Sequence, residues 1–247
     1  MELKKTMNLA SQTLLVIGGT SGFGFQVAVQ AAQAGASLVI TGRNPQKLAA
    51  AIQQLQAGGT PVSGHVVDAA DADGLRSFFE SIEPFDHLVS LAGGFMGGGF
   101  LEAPVEVIRK AIEEKFFANL AIARLAAPRV RAGGSLVFTA GSGGRPHTAS
   151  GAIIGNDAIR TLVQGLAVEL APRVRVNAVA PTWTRTPLWR GMSAEQVDAT
   201  DKQFSSMIPL RRTAKIEEVA AAYIFLMQNT FVTGQTINVD GGLTLVS

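Results

Sequence analysis

The chain has 247 residues, of which 47% are hydrophobic and 16% charged. This composition suffices for a large core, and α/β folds of this length commonly form one domain. The 21 basic and 19 acidic residues nearly balance, and Lys4–Lys5 and Arg211–Arg212 are isolated pairs, so we expect no nucleic-acid partner. The absence of cysteine excludes disulfides, thiolate chemistry and cysteine metal sites, and we assign no metal ligand elsewhere.

Near the N-terminus, lysines precede the apolar run LLVIGG, an arrangement that superficially resembles a signal peptide. The run is short and continues into a glycine turn with a helix behind it, so we interpret it as a first strand. No segment approaches 18 consecutive apolar residues. We therefore expect no membrane-spanning helix and a cytoplasmic protein.

Short β-branched runs alternate with longer alanine-rich segments along the chain. The runs predict seven strands, at residues 13–18, 37–41, 64–68, 86–93, 135–140, 173–181 and 235–240. Helices are predicted between them, at residues 23–34, 45–57, 72–81, 104–131, 152–170 and 216–228. The strands are almost continuously apolar, which is typical of burial on both faces. The alternation predicts one domain over residues 1–247, an α/β fold with a doubly wound, Rossmann-type, seven-stranded parallel sheet.

The first predicted strand runs into a glycine-rich turn that is followed by a helix. Glycines permit a tight turn, and free N–H groups at the start of the helix can face a pyrophosphate. The strand–turn–helix context is the one that dinucleotide binding requires. The predicted cofactor contacts in this turn are Gly18, Thr20, Ser21, Gly22, Phe23 and Gly24.

The end of the second strand bears on the choice of cofactor. A carboxylate here would bind a ribose 2′-hydroxyl and repel a 2′-phosphate, but the sequence reads TGRN, with Arg43 available to pair with a phosphate. The sequence therefore favours NADP(H) over NAD(H). If Arg43 is only a surface residue, that preference stays open.

The chain resembles the short-chain dehydrogenase/reductase family over nearly its whole length. The resemblance rests on five matches: the spacing Gly18-x-x-x-Gly22-x-Gly24, Asp68 after the third strand, the segment Leu91-Ala92-Gly93-Gly94, the strand 175–181 and the C-terminal turn 234–242. It implies a Rossmann-type domain, a nicotinamide cofactor and a homodimer or homotetramer. Further cofactor contacts implied by the resemblance are Asp68, Ala92, Gly93, Gly94, Pro181, Trp183 and Thr186.

The proton-transfer residues of the family are a serine, a tyrosine, a lysine and an asparagine, and the resemblance finds all four positions changed. The tyrosine position maps to Ala152 and the lysine position to Asn156. The serine position maps to Gly141, with Ser142 beside it, and the asparagine position maps to Lys115. The usual path for the proton is therefore expected to be missing.

Composition alone leaves no tyrosine for the site, because the only one, Tyr223, lies in the apolar helix segment AAYIFLM and is predicted to pack in the core. General acid–base catalysis is typically worth about 10²–10⁴ in rate, so reduction of a ketone needs a replacement acid. Lys115 is the first candidate, because desolvation lowers the pKa of an ammonium. The alternative is a lysine on a helix surface with its ammonium in water.

Three further residues are candidates for the catalytic site. Ser142 would reach the site by a small shift of its loop, and His147 lies in the loop after the fifth strand, where ligands bind in such sheets. Asn156 can hydrogen-bond a ribose hydroxyl, so we assign it to the cofactor as well, as we do Lys115. An exposed loop position for His147 and simple helix packing for Asn156 are the alternatives.

Residues 182–210 are predicted to form a substrate lid, whose aromatic and methionine side chains suit an apolar substrate or an oligomer interface. Two main functions follow from the sequence. One is an NADP(H)-dependent oxidoreductase with a rebuilt acid, acting on a small carbonyl compound, alcohol or activated alkene. The other is a catalytically silent NADP(H)-binding sensor or scaffold. A non-redox enzyme on the same scaffold is a third alternative, and the lid and the polar candidates favour the first.

Overall fold

A single parallel sheet organises residues 8–246, the part of the chain that the structure, a computed structural model, describes. The pair Lys4–Lys5 lies outside the described residues. The strand order is β3-β2-β1-β4-β5-β6-β7. The strands are β1 Thr13–Ile17, β2 Ser37–Gly42, β3 Val62–Val66, β4 Phe85–Ser90, β5 Val130–Thr139, β6 Arg175–Pro181 and β7 Thr236–Val239. The predicted single-domain, doubly wound, Rossmann-type α/β fold is confirmed.

Helices cover both faces of the sheet. They are α1 Gly22–Gln33, α2 Pro45–Gln56, α3 Ala72–Ser81, α4 Val105–Ile112, α5 Ala118–Ala126, α6 Ser150–Glu169, α7 Ala194–Met207, α8 Ile216–Gln228 and α9 Leu243–Val246. In residues 8–246, none of the helices has both the length and the apolar character needed to cross a bilayer.

Each face of the sheet has its own hydrophobic core. Leu14 and Val16 of β1 pack with α1, α2 and α8, whereas Leu15 and Ile17 pack with α3, α5 and α6. Successive side chains of a strand point to opposite faces, so both sets are buried. This two-sided burial is the reason that the strands read as continuous apolar runs.

The predicted helix over residues 104–131 is interrupted. After α4, residues Glu113–Phe117 form one turn of π-helix, and α5 follows directly. A π-helical turn contains one more residue than an α-helical turn and shifts the hydrogen bonds by one position. Sequence periodicity gave no signal for it.

The strand boundaries near residue 130 and near residue 64 also differ from the prediction. β5 begins at Val130 rather than at 135, because Val130 pairs with Phe85 across the sheet. The register then shifts before His87, and Gly133, with a φ of 85°, allows the intervening residues to bulge. β3 begins at Val62, two residues earlier than predicted.

The order of the strands determines where a ligand can bind. β1 lies between β2 and β4, so the chain reverses direction across the sheet at the β1–β4 pair. The loops after β1 and β4 therefore diverge and leave a crevice at the carboxyl ends of the strands. The loops after β5 and β6 close this crevice on one side.

Tyr223 is fully buried in α8, as predicted. Its hydroxyl oxygen lies 2.8 Å from Thr139 Oγ1, and Thr139 donates its own proton to the Ser90 carbonyl at 2.7 Å. Tyr223 must therefore be the donor in its bond to Thr139. Burial raises the pKa of Tyr223 above its usual range, so this phenol stays protonated.

Replacing Tyr223 by Phe removes one buried hydrogen bond and little volume. We expect the free energy of unfolding to fall by about 1 kcal/mol. Urea unfolding measures this change, and Thr139→Val supplies the control. In the Thr139→Val background the same Tyr223→Phe substitution should cost much less, and an equal cost in both backgrounds would mean that the hydroxyl pairs elsewhere.

Candidate active site

A cavity of about 350 Å³ lies at the carboxyl ends of the central strands. The glycine turn after β1, the loop after β4 and the loop after β5 form three of its walls. The start of α6, residues 181–190 and Phe204 of α7 form the rest. This is the crevice that the strand order predicts for a ligand of a doubly wound sheet.

The glycine turn is shaped for close approach of an acceptor group. Gly18, Ser21, Gly22, Phe23 and Gly24 line the cavity. A Cβ atom on Gly24 would collide with the Gly18 carbonyl oxygen, so the turn closes only with glycine there. Ser21 caps α1 without a side-chain hydrogen bond, which leaves the first N–H groups of the helix free for a ligand.

Thr20 does not line the cavity with the rest of the turn. Its side chain packs against the end of β2, where a Cβ atom on Gly42 would collide with it. Thr20 therefore holds the turn against β2. Its role as a cofactor contact stays a prediction.

Arg43 and Asp68 lie beyond the cavity, at the ends of the neighbouring strands β2 and β3. Both side chains are exposed. The Asp68 carboxylate accepts a hydrogen bond of 3.0 Å from the Ala70 N–H. Among residues 8–246, Arg43 forms no ion pair, so its guanidinium is available to a ligand that extends past the glycine turn.

The loop after β4 contributes Gly93 and Gly94 to the cavity but not Ala92. Ala92 faces the core, and its carbonyl accepts a hydrogen bond of 3.2 Å from Asn119 Nδ2. Gly93 has a φ of 115°, a conformation that favours glycine. The two glycines thus present bare backbone to the cavity, beside the Leu91 and Phe95 side chains of the same segment.

Lys115 extends from the π-helical turn into this cavity, and only 8% of its surface is exposed. A Cβ atom on Gly93 would lie 2.5 Å from its Cδ atom and 3.3 Å from Nζ. A Cβ atom on Gly155 would lie 2.9 Å from its Cβ and Cγ atoms. Two glycines on separate elements therefore form the slot that this side chain fills.

Asn119 holds the backbone of Lys115 through a hydrogen bond. Its Nδ2 atom donates to the Lys115 carbonyl at 2.6 Å and to the Ala92 carbonyl, while its Oδ1 atom accepts from Ser90 Oγ at 2.6 Å. Asn119 is fully buried and does not line the cavity. It fixes the π-helical turn against the loop after β4, a role that the sequence did not indicate.

The electrostatics of the cavity favour anions and polarised oxygens. Desolvation lowers the pKa of Lys115 from 10.5 to about 8. No carboxylate lines the cavity within residues 8–246, and the second cation of its lining, Arg190, is exposed at the mouth. In the described part of the chain, the Lys115 ammonium has no ion-pair partner. A bound group with a partial negative charge would supply one.

The Asn156 side chain fills the space that a side chain at position 141 would need. Ala152 and Asn156 both line the cavity from α6. A Cβ atom on Gly141 would lie 2.6 Å from Asn156 Nδ2. A serine at position 141 and the present orientation of Asn156 therefore exclude one another, so the two positions act as a pair.

Ser142 also lines the cavity, but its polar atoms bind the end of β6. Its hydroxyl donates to the Ala180 carbonyl at 3.2 Å, and its N–H donates to the Pro181 carbonyl at 2.9 Å. As a candidate acid it is therefore already engaged in a bond to the scaffold. Pro181 itself lines the cavity from the end of β6.

His147 does not line the cavity, which corrects the expectation that this loop histidine borders the site. Its side chain is exposed. The reason is a turn at Arg145, whose carbonyl accepts from the Thr148 N–H, and a bridge that ties Ala149 to Gly98. These bonds fix the loop, which leaves the His147 side chain exposed and outside the lining of the cavity.

A row of four aromatic rings closes the other side of the cavity. Trp183 stacks between Trp189 and Phe204, with centroid distances of 6.0 and 5.9 Å. Trp189 meets Phe95 edge to face at 5.2 Å. We call these four residues the aromatic wall. Phe95 was not predicted as a site residue, because a single phenylalanine in a glycine-rich loop carries no periodic signal.

Two polar atoms beside the aromatic wall are buried without a hydrogen-bond partner: Thr182 Oγ1 and Trp183 Nε1. Buried polar atoms in folded proteins are normally paired, so unpaired ones at a cavity mark positions where a ligand can bind. Thr186 lies nearby and faces the glycine turn, since a Cβ atom on Gly22 would be 3.7 Å from its Cβ atom.

The sheet and this crevice together define a doubly wound α/β protein with a dinucleotide-type cleft. A family model described as enoyl-(acyl carrier protein) reductase matches residues 18–244. A short-chain dehydrogenase/reductase of Gibberella fujikuroi is 33% identical over 98% of this chain and 98% of its own length. An A-factor type gamma-butyrolactone 1′-reductase (1S-forming) of Streptomyces virginiae is 30% identical over 96% and 97% of the two chains.

Among solved structures, a short-chain type dehydrogenase/reductase from Mycobacterium ulcerans superimposes with a TM-score of 0.86 and 32% identity. The match covers 97% of this chain and 92% of the other. The chain belongs to the short-chain dehydrogenase/reductase family. This is a family of oxidoreductases that bind a nicotinamide cofactor.

The burial of Lys115 predicts an unusual effect on stability. Its pKa is about 8 in the folded protein and 10.5 when solvated, so burying the charged form is unfavourable below pH 8. This penalty fades as the pH rises from about 8 toward 10.5. Lys115→Met should therefore raise the free energy of unfolding at pH 7 by about 1–3 kcal/mol.

Urea unfolding as a function of pH measures this effect. The matched control is Lys110→Met, on the exposed side of the same helical segment, where the ion pair with Glu114 is solvated and should contribute little. A loss of stability in Lys115→Met at pH 7 would show that the ammonium is already well paired.

Proposed function

We propose that this protein is an NADP(H)-dependent oxidoreductase in which Lys115 replaces the missing tyrosine as the proton donor. Its substrate would be a small polarised carbonyl compound, the corresponding alcohol or an activated alkene. The observation that carries the proposal is the buried, unpaired Lys115 ammonium in the cavity. The reductase named among the relatives supports the direction of the reaction.

The residues of the crevice fit a dinucleotide. Free N–H groups at the start of α1 suit a pyrophosphate, and Thr186 faces the same turn. The unpaired Thr182 Oγ1 and Trp183 Nε1 atoms suit polar groups farther along the crevice. Asn156 lines the cavity one turn of helix from Ala152, where its amide can hydrogen-bond a ribose hydroxyl.

A nicotinamide cofactor supplies hydride when it is bound, and the chain has to manage the proton. Lys115 is protonated at neutral pH, since its pKa is about 8. A donor with a pKa close to the working pH is effective in general acid catalysis. The hydroxyl groups of Tyr223 and Ser142 both hydrogen-bond to the scaffold. Lys115 is therefore the proposed proton donor.

Two features support the assignment of residues 182–210 as a substrate lid. These residues contribute three of the four rings of the aromatic wall, and few of their side chains in α7 are held by the core. A short 3₁₀ helix Pro187–Trp189 and the helix α7 form this segment, and α7 has no buried residue. Few buried contacts are typical of elements that move when a ligand binds. The apolar rings favour a substrate with an apolar body.

A homodimer or homotetramer is the proposed assembly. An apolar groove on the outer face of α5 and α6, with Phe116, Leu120 and Leu162 in its lining, supports helix pairing between subunits. Gly165 lies in the same groove and permits close approach. We also propose that the protein acts in the cytoplasm.

Arg43 is the proposed determinant of the NADP(H) preference. Arg43→Ala should weaken the binding of NADPH about 10- to 100-fold, the loss expected for one or two hydrogen bonds between charged groups. Binding of NADH should change little. Fluorescence titration with each nucleotide measures both constants, and Lys47→Ala on the exposed surface of α2 controls for the change in net charge. Equal losses for both nucleotides would reject the role.

Lys115→Met should lower kcat/KM for reduction of activated carbonyl compounds by about 10²-fold or more, because the acid is lost. In the unchanged protein, kcat/KM should fall as the pH rises through about 8, where Lys115 gives up its proton. NADPH oxidation, followed by absorbance over a panel of aldehydes, ketones and enones, measures both effects.

Tyr223→Phe and Lys110→Met are the controls for this experiment and should leave the rate unchanged. A flat pH profile with full activity in Lys115→Met would remove Lys115 from the proposed function. Tight binding of NADPH without turnover on the whole panel would favour the second candidate, a silent NADP(H)-binding sensor or scaffold. The engagement of Ser142 and Tyr223 with the scaffold is the observation that supports that candidate.

A further inference from the structure

Lys115 has a second form whose chemistry differs from that of an acid. Its neutral amine carries a lone pair, glycines lie against its side chain, and within residues 8–246 the cavity that it lines contains no carboxylate. Lysines of this kind, desolvated and without a counter-ion, are activated nucleophiles. We propose that Lys115 forms a reversible Schiff base with small aldehydes or unhindered ketones that enter the cavity, and that it does so without any nucleotide.

The step is a condensation. The Nζ lone pair of the neutral amine attacks the carbonyl carbon, and a C=N bond forms. The two N–H protons of the amine pass to the carbonyl oxygen, which leaves as water. The neutral imine then takes up one proton from solvent, which restores the positive charge that the ammonium lost when it gave a proton to solvent. Hydrolysis reverses the reaction, so no oxidant or reductant is consumed.

The slot around Lys115 supports this role. Gly93 and Gly155 would each touch the side chain if they carried a Cβ atom, so the stem of the lysine is held while its amine reaches the cavity. Asn119 fixes the backbone at the same residue. A nucleophile held in one orientation loses less entropy on attack than a free surface lysine.

The neutral form of Lys115 is accessible because no carboxylate in the described lining of the cavity stabilises its ammonium form. No carboxylate lines the cavity within residues 8–246, and the acidic residues Glu113 and Glu114 of the same turn do not line it. Arg190 is exposed at the mouth, and Asn119 and Asn156 are uncharged. Near pH 8 about half of Lys115 is therefore neutral, against less than about 1% of an ordinary lysine.

The aromatic wall makes the imine longer-lived. Imines in water hydrolyse readily, and Trp183, Trp189 and Phe204 cover one side of the cavity with apolar rings. Exclusion of water by such a wall slows unwanted hydrolysis. The rings also suit a carbonyl compound with a flat body, and benzaldehyde is a suitable probe.

The test is reductive trapping of the full-length protein with benzaldehyde and sodium cyanoborohydride at pH 8, without nucleotide. Cyanoborohydride converts the imine into a stable secondary amine, which intact-protein mass spectrometry and peptide mapping detect. We expect Lys115 to be labelled at least about tenfold faster than any exposed lysine, since its neutral fraction is much larger. Labelling should rise with pH through about 8.

Lys115→Arg keeps the positive charge and should abolish the fast label, whereas Lys110→Arg should retain it. Labels spread evenly over the exposed lysines in the unchanged protein would overturn the inference, whether or not either variant folds. The inference extends the proposed function but fails separately from it. Trapping without NADPH turnover supports the Schiff base and opposes the reductase, and turnover without trapping does the reverse.

Discussion

The site depends on one constraint: an ammonium is buried in a cavity whose lining, within residues 8–246, contains no carboxylate. Lys115 reaches that position because a π-helical turn presents it, Asn119 holds the turn, and two glycines leave a slot. Desolvation lowers the pKa of the amine to about 8, so both of its protonation states are accessible near neutral pH. The proposed proton donor and the proposed nucleophile are thus the same residue.

Contacts between neighbouring residues limit what can stand at several positions in and beside the cavity. Asn156 lies against Gly141, so the residue at one position limits the residue at the other. Lys115 lies against Gly93 and Gly155 in the same way. At each of these contacts a larger side chain depends on the glycine beside it, so these glycines determine the space available to Lys115 and Asn156.

The sequence predicted the seven-stranded parallel sheet, its doubly wound class and the glycine turn, because strand periodicity and turn chemistry are local signals. It also placed Tyr223 in the core, since its neighbours are all apolar. It could not predict the π-helical turn or the bulge within β5, because hydrogen-bond register is decided by tertiary contacts such as those of Asn119 and Val130. His147 was assigned to the site from its loop alone, but its side chain is exposed and does not line the cavity.

The aromatic wall has a practical consequence for the study of this protein. The chain contains two tryptophans, Trp183 and Trp189, and both belong to that wall. Emission from indole depends on nearby charges and on contact with other rings, and a phenol in the scaffold contributes little when excitation is at the red edge. All of the tryptophan fluorescence of this chain therefore comes from residues that line the cavity. The protein carries its own optical reporter of what enters there.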